Sequence, residues 1–399
     1  MPATSDRYIV ISADGHAGGS LDQYGEYLEA KWQDEYAEWR GRYKNPWRDL
    51  EDDRKTRNWD NERRLGETEA DGIVAEVLFP NTIPPFFPTG EVIAPAARVD
   101  DYERRQAGTW AHNRWLADFV AAAPHRRAGQ VSIPLANLDD AVTTVEWAVE
   151  HNMRGLLLPG VAPDTPWIEP LYSPTYDRLW AVVQESGLPL THHGGGTGLP
   201  TYGRYPASSI MFVLEAGFFA NRALWHLTMS GVLERFPDLK LVLTEQGVSW
   251  VPPTLARMDA IHSDIARGGM GELGMPEQAA LAMRPSEYFA RNVWVGASFP
   301  SPTEAAAILE VGVDRVMWGS DYPHSESTFP LSRESLRHSF STWAPADLRQ
   351  VLSENAAFVY GFDLDALAPI ADTVGPTVDE IRAGIDEVPD HQSPAFRRG

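Results

Sequence analysis

The chain has 399 residues, 43% hydrophobic and 11% aromatic, which suits one large core or at most two domains and argues against disorder. Its 34 basic and 56 acidic residues give a net charge of −22, a surface that repels nucleic acid and anionic lipid as bulk partners. There is no cysteine, so disulfides, thiolate ligands and a cysteine nucleophile are excluded, and any metal must be held by histidines and carboxylates.

The opening segment Met1–Arg7 is polar and lacks the apolar stretch of a signal peptide. No segment approaches the ~20 apolar residues that span a bilayer, so a cytoplasmic enzyme is expected. Tyr8–Ala13 reads as the first strand, and Asp14-Gly15-His16 ends it. Side chains two apart on a strand point the same way, so Asp14 and His16 can face one pocket, with Gly15 leaving room between them. Leu21–Thr68, rich in Trp, Tyr, Arg and acidic residues, reads as an insertion. Gly72–Phe79 is the second strand and Ala128–Ile133 the third, with a helical pattern over Leu138–His151. Gly155–Leu158 is a short fourth, followed by a helix over Tyr176–Ser186. Leu188–Thr191 is the fifth and leads into His192-His193-Gly194-Gly195-Gly196. Neighbouring strand residues face opposite sides, so one of the two histidines should point inward. Gly194–Arg222 reads as a second insertion. Leu239–Thr244 is the sixth strand and ends at Glu245, which could be a metal ligand, a base, a substrate anchor or a structural acceptor. Val293–Gly296 is the seventh, followed by a helix over Thr303–Val311. Arg315–Trp318 is the eighth and runs into Asp321-Tyr322-Pro323-His324.

Eight strands, several with helices between them, predict an α/β fold closed as a TIM-type (β/α)8 barrel over residues 1–365, with a tail over 366–399. The tail should hold a helix over Thr377–Ile385 and fray in its last ten or so residues. Both insertions follow a strand, which places them over the C-terminal face, where barrel enzymes keep their sites. Asp14, His16, one of His192 and His193, Glu245 and Asp321 would then converge from the ends of strands one, five, six and eight. Three or four N and O ligands with an open position make a catalytic metal site rather than a structural one. The only lysines are Lys31, Lys44, Lys55 and Lys240, so strand four offers none to bridge two metals, and one metal is expected. Phe79, Tyr205 and Trp318 are candidates for an aromatic rim, Arg204 for a substrate carboxylate, and His226, His324 and Glu326 for further substrate contacts.

The stretches Leu171–His193, Gly231–Asp259 and Asp314–His324 resemble the amidohydrolase-related family that includes aminocarboxymuconate semialdehyde decarboxylase. The resemblance spans residues 8–365 and implies a distorted (β/α)8 barrel with a single divalent metal. It implies Asp14, His16, His193 and Asp321 as ligands, His193 because it stands four residues after Pro189. Many members carry His at the place of Asp14. At the end of strand six the decarboxylases carry a histidine that acts as base or acid. Glu245 takes its place here, which speaks against carrying their activity over directly.

The leading expectation is therefore a hydrolase acting through a metal-activated water on a small organic, aromatic or carboxylated substrate, with zinc expected ahead of manganese or iron. Asp321 would accept the water proton, Glu245 or His324 would assist, and His192 or His226 would steady the oxyanion. The second expectation is a non-oxidative decarboxylase of an aromatic or muconate-like acid. A non-catalytic binding protein is the third, and the intact ligand set argues against it. A homodimer through the apolar insertions is expected, with no nucleic-acid or membrane partner.

Overall fold

The computed structural model describes residues 6–45, 47, 50–88, 97–195, 198–270, 272–274 and 281–397. Gly196 of the glycine run lies outside the described residues, as do the last two residues of the tail. The eight expected strands all form: β1 (Ile11–Ala17), β2 (Ala75–Pro80), β3 (Arg127–Ser132), β4 (Gly155–Leu157), β5 (Leu190–His193), β6 (Leu241–Thr244), β7 (Val293–Ser298) and β8 (Val316–Gly319). They pair in parallel in chain order, each with the next. Helices such as Leu138–Glu150, Asp177–Ser186 and Pro302–Val311 return the chain between strands. The result is a nearly closed TIM-type barrel.

Closure between β8 and β1 is not a regular ladder. It rests on a bridge of Gly15 with Tyr322, on His16 N–H donating to Tyr322 O (2.7 Å), and on Asp321 N–H donating to Asp14 O (2.9 Å). The register of β1 against β2 also slips between Ser12 and Gly15. Both irregularities fall on the residues singled out from the sequence. A bulge re-aims the side chains beside it, and barrels place bulges next to their sites for that reason. Asp14-Gly15-His16 lies at the end of the first strand, as expected, with Ala17 the last residue of β1.

The strands are buried on both faces, which explains why their apolar runs do not alternate. Val77, Phe79, Ala128, Leu157, Val242 and Met317 form one cluster with Val359, Tyr360, Leu367 and Ala371 of the helices Asn355–Tyr360 and Leu364–Val374. Leu78, Val131, Leu156, Leu243, Val295 and Trp318 pack in the other, against helix residues such as Leu179, Leu224, Met258 and Ile308.

The insertion after β1 is helical, with helices at Leu21–Tyr27, Gln33–Arg42 and Asn61–Ala70. The insertion after β5 resolves into a helix, Ser208–Met229, that outruns its expected end at Arg222. Ile210, Val213, Leu214 and Phe218 on its first half are more than half exposed. The tail forms a helix at Val378–Arg382, inside the expected span. It does not fray as expected. Tyr8 N–H donates to Pro376 O and Val378 N–H to Asp6 O, and near the chain end Ala395 and Phe396 are buried. The apolar Phe396 packs near the rings of His338 and His391 and so ties the chain end down. Among the described residues, no helix is long and apolar enough to cross a membrane.

Candidate functional site

The mouth of the barrel gathers Asp14 and His16 from β1, His193 from β5, Glu245 after β6, and Asp321 and His324 after β8. His16 Nε2 lies 3.4 Å from Asp14 Oδ1 and 3.1 Å from Asp321 Oδ1. His193 Nε2 lies 3.2 Å from Asp14 Oδ1, and its Nδ1 3.4 Å from Glu245 Oε2. His324 Nδ1 lies 2.9 Å from Asp321 Oδ1. Asp14, His16, His193 and Asp321 are all buried.

The hydrogen bonds fix which ring nitrogen is free. His16 Nδ1–H donates to the Pro80 carbonyl (3.1 Å), and a carbonyl can only accept. His193 Nδ1–H donates to the Gly194 carbonyl (3.3 Å). Both rings then present the lone pair of Nε2 to carboxylate oxygens, which are acceptors too. For His324 the argument runs through two amides. Asn58 Nδ2 donates to Lys55 O (2.9 Å), so Asn58 Oδ1 accepts from Asn81 Nδ2 (2.7 Å), and Asn81 Oδ1 accepts from His324 Nε2–H (3.0 Å). The Nδ1 lone pair of His324 is thus turned on Asp321. Acceptors this close require a proton or a cation between them. Both oxygens of Asp321, Nε2 of His16 and Nδ1 of His324 are buried without a well-formed hydrogen bond.

The cation-free electrostatics agree. Burial opposes ionisation of Asp14 and Asp321, but His193 and His16 beside the first, and His324 and His16 beside the second, hold both well below the usual carboxylate range. Burial would lower His324, yet Asp321 and Glu245 raise it to about 10. Glu245 is raised to about 8 by burial first and by Asp321 and Asp14 next, with His193 opposing. An aspartate–histidine set with free lone pairs, in which both Asp321 oxygens lack a hydrogen-bond donor, fits a divalent cation. Groups of three or more potential ligands are Asp14, His16 and His193; His16, Asp321 and His324; and Glu245, Asp321, His324 and Glu326.

Local structure serves this arrangement. Glu245 and Asp321 both adopt left-handed backbone, with φ of 56° and 65°, conformations that cost a non-glycine residue ~1 kcal/mol or more and recur at functional sites. The glycines after His193 make room for Glu245. A Cβ on Gly194 would stand 2.3 Å from Glu245 O, and one on Gly195 2.7 Å from Glu245 Oε2. Phe79 forms a wall, its ring 4.4 Å from that of His193 and 6.0 Å from that of His16.

Other expected residues lie elsewhere. His192 is buried and, by strand alternation, faces away from the axis. Burial, then His193, His226 and Arg222, lower it to about 3. His226 lies on helix Ser208–Met229 with its ring edge-on to Tyr172 at 5.0 Å; burial and Arg222 lower it to about 4. Trp318 is no rim residue, because its place on β8 turns it outward into the helix layer, while Met317 faces in. Tyr205 is 76% exposed and Arg204 is exposed too, so the structure brings neither to the cluster. Glu326 is exposed but within reach of it. Arg64 is buried against Glu76. Two residues were missed from the sequence, Asn81 after β2 and Ser298 at the end of β7, whose hydroxyl donates to Asp14 Oδ2. Both sit at strand ends, the signal used for the acids and histidines but not applied to neutral polar residues.

The amidohydrolase family profile matches residues 44–362. The gamma-resorcylate decarboxylase of Polaromonas sp. (strain JS666 / ATCC BAA-500) is 27% identical over 270 residues, 66% of this chain and 76% of that protein. That of Rhizobium radiobacter is 24% identical over 308 residues, 75% of this chain and 86% of that protein. The 5-carboxyvanillate decarboxylase of Sphingomonas paucimobilis superposes with a TM-score of 0.66 at 21% identity, over 89% of this chain and all (100%) of that one. A dihydroxybenzoic acid decarboxylase of Polaromonas sp. JS666, solved with manganese and the inhibitor 2-nitroresorcinol, gives 0.58 at 19% identity, over 89% and 97%. These relatives are decarboxylases, which overturns the hydrolase expected from the sequence: the exchange of histidine for Glu245 weighed too heavily there. The chain is an enzyme-family barrel by descent as well as by shape, and it belongs to the amidohydrolase family.

Proposed function

We propose that this protein is a metal-dependent, non-oxidative decarboxylase of a hydroxylated benzoate. The observation that carries the reading is the similarity to gamma-resorcylate decarboxylases over two thirds or more of the chain, in a protein that keeps a complete aspartate–histidine cluster at its barrel mouth. Asp14, His16, His193 and Asp321 would hold the cation. Manganese is the first to supply, in place of the zinc expected from the sequence, because it is bound in a structural neighbour. When bound, the cation supplies a Lewis-acid anchor for an aryl carboxylate and an adjacent phenolic oxygen.

The protein's own groups supply the rest. Phe79 gives the ring an apolar wall beside His193. Glu245, its carboxyl pushed up by burial, is the acid for the ring carbon that bears the carboxylate. That carbon gains the proton, the bond to the carboxylate breaks, its electron pair returns to the ring, and CO2 leaves. His324, whose Nδ1 lies 2.9 Å from Asp321, is the next group in line to pass a proton to the acid.

The test is incubation of the manganese-loaded protein with 2,6-dihydroxybenzoate and with 5-carboxyvanillate in D2O. The expected result is CO2 release with one deuterium at the vacated ring carbon. Product carrying oxygen from labelled water, without CO2, would refute the proposal.

A further inference from the structure

The geometry points to the first half of the helix Ser208–Met229 as the contact between two copies of this chain. The second half of that helix belongs to the coat of the barrel: Ala223, Leu224 and Leu227 are buried in the layer between strands and helices. The first half has no such support. Val213 is 73% exposed and Leu214 70%, and Ile210, Met211, Phe212 and Phe218 are exposed as well. At 3.6 residues per turn, the five consecutive residues Ile210–Leu214 point in every direction around the helix, and all five are exposed. A helix that is apolar on every side is the pattern of a buried helix, not of a surface one. A Cβ on Gly217, in the middle of this run, would meet nothing within 4 Å. The exposed large apolar residues elsewhere, such as Val99, Val149, Leu309 and Phe358, are scattered along the chain, which is normal for a surface.

The area suits a stable dimer. With Tyr205, the exposed side chains of this segment leave roughly 800 Å² uncovered, at ~200 Å² for each large side chain. Each partner of a standard interface covers about 800 Å², whereas the largest apolar patch of a typical monomer is about 300–600 Å².

Charge identifies the occupant as a second copy. From Tyr205 to Asn221 the one charged residue is Glu215, and its carboxylate accepts a hydrogen bond from Tyr202. Two bodies that each carry a net charge of −22 meet at least cost where both are uncharged. A lipid surface fits less well, because a helix lying in the membrane interface carries Lys or Arg beside its apolar face, and the first basic residue of this helix is Arg222 in its second half. A second copy brings an equal projection. Two such helices side by side about a two-fold axis cover each other's apolar flanks, and Gly217 lets their backbones approach closely. The contact concerns assembly and holds whichever reaction the barrel mouth performs.

The experiment is sedimentation velocity on the full chain over a concentration series. The wild type should sediment as a dimer or an even multiple of it. Val213→Glu combined with Leu214→Glu changes two exposed side chains and should halve that mass, with the dissociation constant raised at least ~100-fold by like charges brought face to face and the circular dichroism spectrum unchanged. The chain has no cysteine, so one introduced thiol reports the contact without the risk of misfolding that two added charges carry. Gly217→Cys should form a disulfide-linked pair of chains on mild oxidation, and Leu309→Cys, exposed elsewhere, should not. A wild type that sediments as one chain, a folded double variant that associates with unchanged affinity, or Gly217→Cys that links no better than Leu309→Cys would each overturn the contact. A single-chain wild type that co-sediments with phosphatidylcholine vesicles would overturn it in favour of a lipid surface.

Discussion

Two buried carboxylates a few residues from the barrel mouth have opposite surroundings. Glu76 on β2 receives two hydrogen bonds from the Arg64 guanidinium, at 2.9 and 2.8 Å, and both side chains are nearly inaccessible. Arg64 spends another donor on the His16 carbonyl, so this pair props β1 from behind. Asp321 on the other side of β1 has no arginine, no hydrogen bond to either oxygen, and two histidines with lone pairs turned on it. The first carboxylate is finished as structure. The second is finished only by something added. Burial of an acid is therefore not itself a mark of function; burial without a donor is.

The largest effect should come from Asp321→Asn. Turnover should fall on the order of 10^3-fold or more, with manganese affinity reduced and the metal-free protein still folded, since the charge removed is met by His16 and His324 and not by an arginine. A metal-free variant that melts well below the wild type would break the comparison, because Asp321 would then be structural like Glu76.

Arg64→Met should act in the reverse way. It leaves Glu76 buried without a partner and should cost about 3–5 kcal/mol in chemical denaturation. Replacing both, as Arg64→Met with Glu76→Leu, should recover most of that loss. No recovery would mean that the bond to His16 matters more than the ion pair.

A third buried acid sharpens the distinction by pH. Asp71 at the foot of β2 accepts from the backbone and hydroxyl of Ser332 but meets no arginine in an ion pair, and burial raises it from 3.8 to about 6. Here the folded state binds the proton more tightly than the unfolded state. Stability from this group is full below pH 4 and is lost as pH rises to about 6. The loss is on the order of 3 kcal/mol, the size of that shift. Relative to Asp71→Asn, the wild type should therefore lose stability over that window. A constant difference across pH 4–7 would remove the assignment. The smallest effects are expected from Arg204→Ala and Tyr205→Ala, exposed residues away from the cluster, at about twofold or less in kcat/KM. A tenfold loss would return them to the site.

Strand-end reasoning worked where covalent spacing does the positioning. A β-branched run followed by Asp-x-His, His-His, Glu or Asp places those residues at one rim whichever helices follow, because parallel strands all end on the same side. It reached Asp14, His16, His193, Glu245, Asp321 and His324. It failed for Trp318, Arg204 and Tyr205, where orientation depends on one-residue register or on the path of a long loop. The hydroxyl of Ser298 on Asp14 and the amide of Asn81 behind His324 stayed hidden because neither residue type announces itself as a ligand.

By itself the sequence determined the number and order of the strands, the absence of sulfur ligands, and the residue types that could hold a cation. Only the tertiary structure decided which nitrogen of each histidine is free, which acid keeps its arginine, and that Glu245, His324 and Glu326 stand close to Asp321. Those depend on hydrogen bonds and contacts between residues far apart in the chain, such as Ser298 and Asp14, 284 positions apart, and electrostatics follows distance in space rather than along the chain.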